Sequence, residues 1–180
     1  MENNPKSEAK VFFSYLTYPK IKFETYEPGE KIILLLRAHP VTQLPWIINS
    51  VIIFTVIFVL NFVIPSFFSL NQNFVFNCFA LAFTLSYIWF SFLNWYFNVG
   101  IVTDRRVIDV DFHQILYKEV TVARLKKIED ITVKSGGYFA SLFDYGTVFV
   151  QTAGTEANVE FMNIPYPSQV VQQINKLLGK

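Results

Sequence analysis

The chain has 180 residues, 52% of them apolar, with 15 Lys and Arg against 14 Asp and Glu and a formal net charge of +1. That balance offers no field for nucleic acid, and a single cysteine, Cys78, excludes an internal disulfide and a cysteine-built zinc site. The charges are also unevenly placed: the 63 residues 41–103 carry none, which excludes an ordinary cytosolic domain.

Residues 1–40 read as an N-terminal cytoplasmic segment, of which the first 25 match no pattern. Residues 41–98 predict a transmembrane helical hairpin. Its spans, 44–64 and 74–97, are 21 and 24 residues long; at 1.5 Å per residue they reach about 31 and about 36 Å, against a hydrocarbon core of about 30 Å. The rest of the chain is too small to wrap two helices that are apolar on every side, which disfavours a pair of buried core helices. A cleaved signal is not expected either, because the first run starts near position 44 and no small-residue cleavage pattern follows it.

Orientation follows from the flanks. Lys22, Lys31 and Arg37 precede the first span, Arg105 and Arg106 follow the second, and the connecting residues 65–73 carry no charge. The positive-inside rule then puts both termini in the cytoplasm, at the inner (plasma) membrane, with Trp46, Trp95 and Tyr96 marking one headgroup layer. The polar residues within the spans are not ionisable, so helix packing is expected rather than an ion path. Asn49, Asn61 and Asn94 are the candidate helix-to-helix contacts, and Cys78 reads as an inert thiol.

After Asn98 the apolar period becomes two. Ile108, Val110 and Phe112 alternate with Val107, Asp109 and Asp111, as in a half-buried strand whose carboxylates face solvent. Thr103-Asp104-Arg105 reads as the turn before it. Further strands are expected at 115–123, 128–134, 147–152 and 158–162, separated by Ser135-Gly136-Gly137 and Ala153-Gly154-Thr155. Val170, Val171, Ile174, Leu177 and Leu178 then recur at helical spacing behind Pro167, predicting one amphipathic helix. Residues 99–180 thus predict an all-β roll, a bent antiparallel sheet of six or seven strands capped by a C-terminal helix.

Val102-Thr103-Asp104-Arg105-Arg106-Val107-Ile108, Leu125 to Val133, Tyr145 to Gly154 and Phe161-Met162-Asn163-Ile164-Pro165 occur in that order behind the hairpin. The stretch 96–178 resembles the bacterial PH-like (pleckstrin-homology-like) domain of small proteins with two transmembrane helices. Glu27-Pro28-Gly29-Glu30 and Arg37-Ala38-His39-Pro40 are similar to that family's lead-in. The resemblance implies a PH-like roll that assembles or scaffolds.

No phosphate loop, GxSxG or HExxH motif is present, and no catalytic residue, cofactor, metal or small-molecule substrate is expected. His39 and His113 read as an interface residue and a strand tip. The expected partners are the bilayer and a second copy or another membrane protein, bound by a non-enzymatic scaffold. Two alternatives stand beside it. Arg105, Arg106, Arg124, Lys126 and Lys127 are candidate headgroup contacts for an anionic-lipid or envelope-stress sensor, each cation near anionic lipid contributing about 1 kcal/mol. An accessory or pore-forming subunit would instead depend on the polar span residues. Tyr138, Phe139, Leu142 and Phe143 form an apolar cluster, read either as packing under the roll or as a surface facing a partner or the bilayer.

Overall fold

The five residues Ile32-Ile33-Leu34-Leu35-Leu36 have no polar position to turn toward water, and they form a strand buried on both faces. A computed structural model describes residues 14–19, 27–63, 69–113, 117–153 and 158–179. Strands β1 (Tyr15–Thr17) and β2 (Ile32–Leu36) precede helices α1 (Leu44–Val63) and α2 (Leu70–Phe97). There follow β3 (Val99–Thr103), β4 (Arg106–His113), β5 (Tyr117–Arg124), β6 (Ile128–Lys134), α3 (Gly137–Phe143), β7 (Tyr145–Thr152), β8 (Val159–Pro165) and α4 (Pro167–Leu178). Lys22, most of the first 25 residues, residues 64–68 of the inter-helix connection and the Gly154-Thr155 turn lie outside the described residues.

The strands make two antiparallel sheets, β1-β2-β3-β4-β5 and β6-β7-β8. β2 pairs with β3 so that Leu36 faces Gly100 and Ile32 faces Thr103. The whole α1–α2 hairpin is therefore inserted at the turn of a β-hairpin. The end of the sheets that holds Leu36 and Gly100, next to the helices, is called proximal below, and the end that holds Ile32 and Thr103 distal.

Both helices are long and apolar enough to cross a membrane by length and composition. A single 3-10 turn, Pro40–Gln43, leads into α1. At the start of α2 the Gln72 backbone N–H donates to Ser69 Oγ and the Ser69 N–H donates to Gln72 Oε1, a capping box. The helices meet through small and amide side chains. Ser50 and Thr84 are buried, and Asn61 and Asn77 exchange reciprocal amide hydrogen bonds of 2.8 Å.

One core joins the sheets: Leu34, Leu36, Val102 and Val107 from the first meet Val148, Val150, Val159 and Phe161 from the second. Helix α4 closes it with Val170 and Ile174, both fully buried. Ile32, Ile101 and Ile108 form a smaller cluster.

Three expectations change. Residues 99–180 do supply six strands, β3 to β8, within the expected six or seven, but they are divided between two sheets rather than forming a single bent one, and β1 and β2 join the larger. The segment 1–40 is not set apart: β1 and β2 are the edge strand of the larger sheet and its neighbour. In β4 the main core takes Val107, so Asp109 and not Ile108 shares the inward face, and Asp109 is only 8% exposed.

This topology gives a direct test. A fragment 99–180 lacks two of the five strands and is expected to show no cooperative unfolding transition. A chain in which residues 38–98 are replaced by Asn-Gly keeps the β2–β3 register through a two-residue turn. It is expected to melt cooperatively; circular dichroism melts of the two compare them.

Candidate functional site

Strand direction sorts the sequence-predicted residues onto two ends of the domain. β3 leaves α2 at Val99 and runs five residues to Thr103, so Arg105 and Arg106 lie about one strand length, roughly 15 Å, from the helices. A backbone hydrogen bond from Leu125 N–H to the Arg105 carbonyl, 2.9 Å, brings the β5–β6 connection to the same place. Arg105, Arg106, Arg124 and Lys126 consequently line one distal groove, with Glu27, Asp104, Leu125 and Leu177. Lys127 is exposed in the same turn without lining it. The basic residues do come together, as the sequence suggests, but away from the hairpin; Arg105 and Arg106 do not flank the spans in space.

Within that group the cations differ. Arg106 clasps Glu30 with two hydrogen bonds of 2.9 Å, from Nε to Oε1 and from Nη2 to Oε2, and reaches Glu27 Oε1 at 3.5 Å. Arg105 meets Glu27 Oε2 at 3.4 Å in an exposed pair. Glu30 is 2% exposed. Burial pushes its carboxyl up, but hydrogen bonds from Arg106 and Thr103 and the Arg106 charge outweigh that, leaving it below its ordinary value. This fork–fork pair fastens the chain before β2 to the β3–β4 turn; it is structural.

The proximal end is aromatic. His39 N–H donates to the Asn163 carbonyl at 2.8 Å, and the His39 ring stacks on Tyr145 with centroids 5.6 Å apart and lies 6.3 Å from the Phe143 ring. Helix α3 is thereby held beside the entry to α1. Its side chains do not pack under the roll: Tyr138 is 95% exposed, Phe139 68%, Leu142 74% and Phe143 40%, because Ala140 alone supplies the buried contact of this seven-residue helix. The apolar cluster is a surface.

The joint between helices and sheets is polar. Trp95 Nε1–H donates to the Ala38 carbonyl at 2.8 Å, Arg37 Nε–H to the Tyr96 carbonyl at 3.0 Å, and Phe112 N–H to Asn98 Oδ1 at 2.6 Å. Asn94 and Asp109 line a cavity at this joint with Arg37, Asn98 and Phe161. Of the three amides singled out in the spans, Asn61 bonds across the hairpin to Asn77, whereas Asn49 and Asn94 are exposed. Asn77 carries no signal in the sequence beyond being polar in an apolar run. Asp109 is a correction: it does not sit on a solvated outer face. Burial first, then the charges of Asp111, Glu160 and Glu119, push its carboxyl up to about 8 against a hydrogen bond from Val110 N–H. Among the described residues no group of three or more His, Cys, Asp or Glu forms a metal site.

Two antiparallel sheets around one core, closed by a C-terminal helix, define a PH-like sandwich. The model of the bacterial PH domain matches residues 42–178, and the chain belongs to that family. No curated protein and no solved structure matches it. Domains of this family are generally non-catalytic modules that bind proteins or lipids.

Two carboxyls make stability depend on pH with opposite signs. Glu30 binds its proton less tightly folded than unfolded, so its contribution is present above the ordinary carboxylate range and lost as pH falls through it. Glu30→Gln leaves Arg106 half-paired and is expected to cost about 3 kcal/mol at pH 7, read as a lowered midpoint in denaturant unfolding. Asp109 binds its proton more tightly when folded, so its contribution is present below its ordinary value of 3.8 and lost as pH rises toward about 8. Asp109→Asn is expected to leave the melting temperature at pH 4 nearly unchanged and to raise it at pH 8, flattening the profile between.

Proposed function

We propose that this chain is an integral membrane protein, both termini cytoplasmic, whose hairpin holds the PH domain at the inner membrane as a platform for protein contacts, self-association included. The hairpin surface carries the reading. Phe54, Phe58, Phe62, Phe79, Phe83 and Trp89 are all exposed on helices that bury little except against each other. Leaving such area in water costs about 25 cal/mol per Å², and lipid or neighbouring helices remove that cost.

The distal groove supports a protein partner rather than a headgroup. Its cations point away from the hairpin, Arg106 is committed to Glu30, and Glu27 and Asp104 dilute what is left. Sensing of anionic lipid through Arg105, Arg106, Arg124, Lys126 and Lys127 is disfavoured by the same geometry. Exposed Arg105, Arg124 and Lys126 around Leu125 and Leu177 suit an acidic protein segment. Confinement to one leaflet raises the effective concentration of such partners, so weak contacts suffice. Asn49, outward on α1, is available to a second copy. A pore-forming role has less support, since the hairpin amides Asn61 and Asn77 satisfy each other.

The test is the native mass of the full-length protein in nanodiscs, with topology reporters at Asn71 and after the last residue. A discrete oligomer that Asn49→Leu shifts toward monomer is the expected result. A monomer at every concentration overturns self-association, and a cytoplasmic reporter signal at Asn71 overturns the topology.

A further inference from the structure

Among the described residues outside the hairpin, Tyr138, Phe139, Leu142 and Phe143 of α3 form a strongly exposed apolar face. At about 100° per residue these four side chains fall within an arc of about 140°, and buried Ala140 lies outside it. An apolar face turned away from its own core marks a contact with something else.

Its position says what. The Phe143 ring is 6.3 Å from His39, and His39 immediately precedes Pro40, where the apolar segment 40–63 begins. His39 is tied to β8 by a 2.8 Å backbone hydrogen bond, and its ring is stacked on Tyr145, two residues beyond α3, so the helix is held at that level. Trp95 sits at the same level, bonded to the Ala38 carbonyl. Tyr and Phe on a helix of this kind suit the headgroup–acyl boundary, where an amphipathic ring keeps its hydroxyl wet. The helix itself is uncharged, with Lys134 before it and Asp144 after it, so neither sign of lipid charge is selected.

We propose that α3 dips its Tyr138–Phe139–Leu142–Phe143 face into the boundary layer of the leaflet the hairpin enters, as a third, non-spanning membrane contact that fixes the orientation of the domain. The proposal rests on the membrane reading of the hairpin. It makes the proximal end of the domain lipid-facing and the distal basic groove cytoplasm-facing, and apolar burial rather than headgroup charge supplies the attraction.

Single-cysteine variants of the full chain in a Cys78→Ser background, labelled with an environment-sensitive fluorophore in phosphatidylcholine nanodiscs, test it. The probes are Leu142→Cys on α3, Val59→Cys in α1 and Lys126→Cys at the distal end; all three residues are exposed, so the labels leave the core intact. The expected result is that the Leu142 probe loses most of its emission to lipids bearing a shallow nitroxide and resists aqueous iodide. Val59 is lost to a deep nitroxide and Lys126 only to iodide. With Val59 quenched from the lipid, a Leu142 probe open to iodide, or shielded from both quenchers as at a protein contact, overturns the proposal alone. Nitroxide quenching of Lys126 equal to that of Leu142 overturns the end-on orientation. A Val59 probe quenched only by iodide overturns the membrane reading and the proposal with it.

Discussion

The pairing of β2 with β3 is the constraint from which the rest of the architecture follows. Adjacent strands lie about 4.8 Å apart, whereas packed helices need 8–10 Å between axes, so the chain must splay as it leaves Leu36 and gather again before Gly100. Arg37, Trp95 and Asn98 occupy that widening joint with hydrogen bonds between side chain and backbone. A helical pair rooted in two neighbouring strands cannot swivel as a pair on a flexible linker would. Gly100 is part of the same joint: a Cβ there would come within 2.5 Å of the Phe161 ring, so the root of the hairpin and the second sheet are in direct contact.

A fixed root turns strand direction into polarity. The elements that carry charge in their turns, the β3–β4 and β5–β6 connections, fall at the distal end, and the aromatic α3 falls at the proximal end. The two perturbed carboxyls divide the same way. Glu30 lies distal, where Arg106 compensates its burial, and Asp109 lies proximal, where acidic neighbours add to its burial. One carboxylate therefore holds the fold together as an ion, and the other is tolerated because it takes up a proton. The basic group and the aromatic cluster that the sequence offers as candidate surfaces therefore lie at opposite ends of the domain.

Much of the fold is legible along the chain. The charge-free run, the period-two stretches after Asn98 and the amphipathic pattern of α4 each report a local environment, and each element is present. The misses have physical reasons. β2 has no alternation to read because both of its faces are covered, and a short all-apolar run is as compatible with a buried helix or a lead-in to a span. In β4 both faces carry apolar residues, Val107 on one and Ile108 on the other, so period two is visible while the choice of inward face is not. Asp109 looks solvated for that reason. The Tyr138 to Phe143 cluster is legible as apolar but not as exposed, since only its anchoring through Ala140 and His39 turns it outward.

What the sequence by itself determined is composition and period: two long apolar helices, strands that alternate, an amphipathic helix and a family. Those properties arise from contacts between near neighbours and from the medium each segment tolerates, so they are written locally. Which face of β4 is inside, which residues accompany Arg106 and which end of the domain meets the hairpin were decided only by the tertiary structure. They depend on pairings such as Leu36 with Gly100 and Glu30 with Arg106, made across the whole length of the helical insertion, and no local pattern specifies the register of strands so far apart.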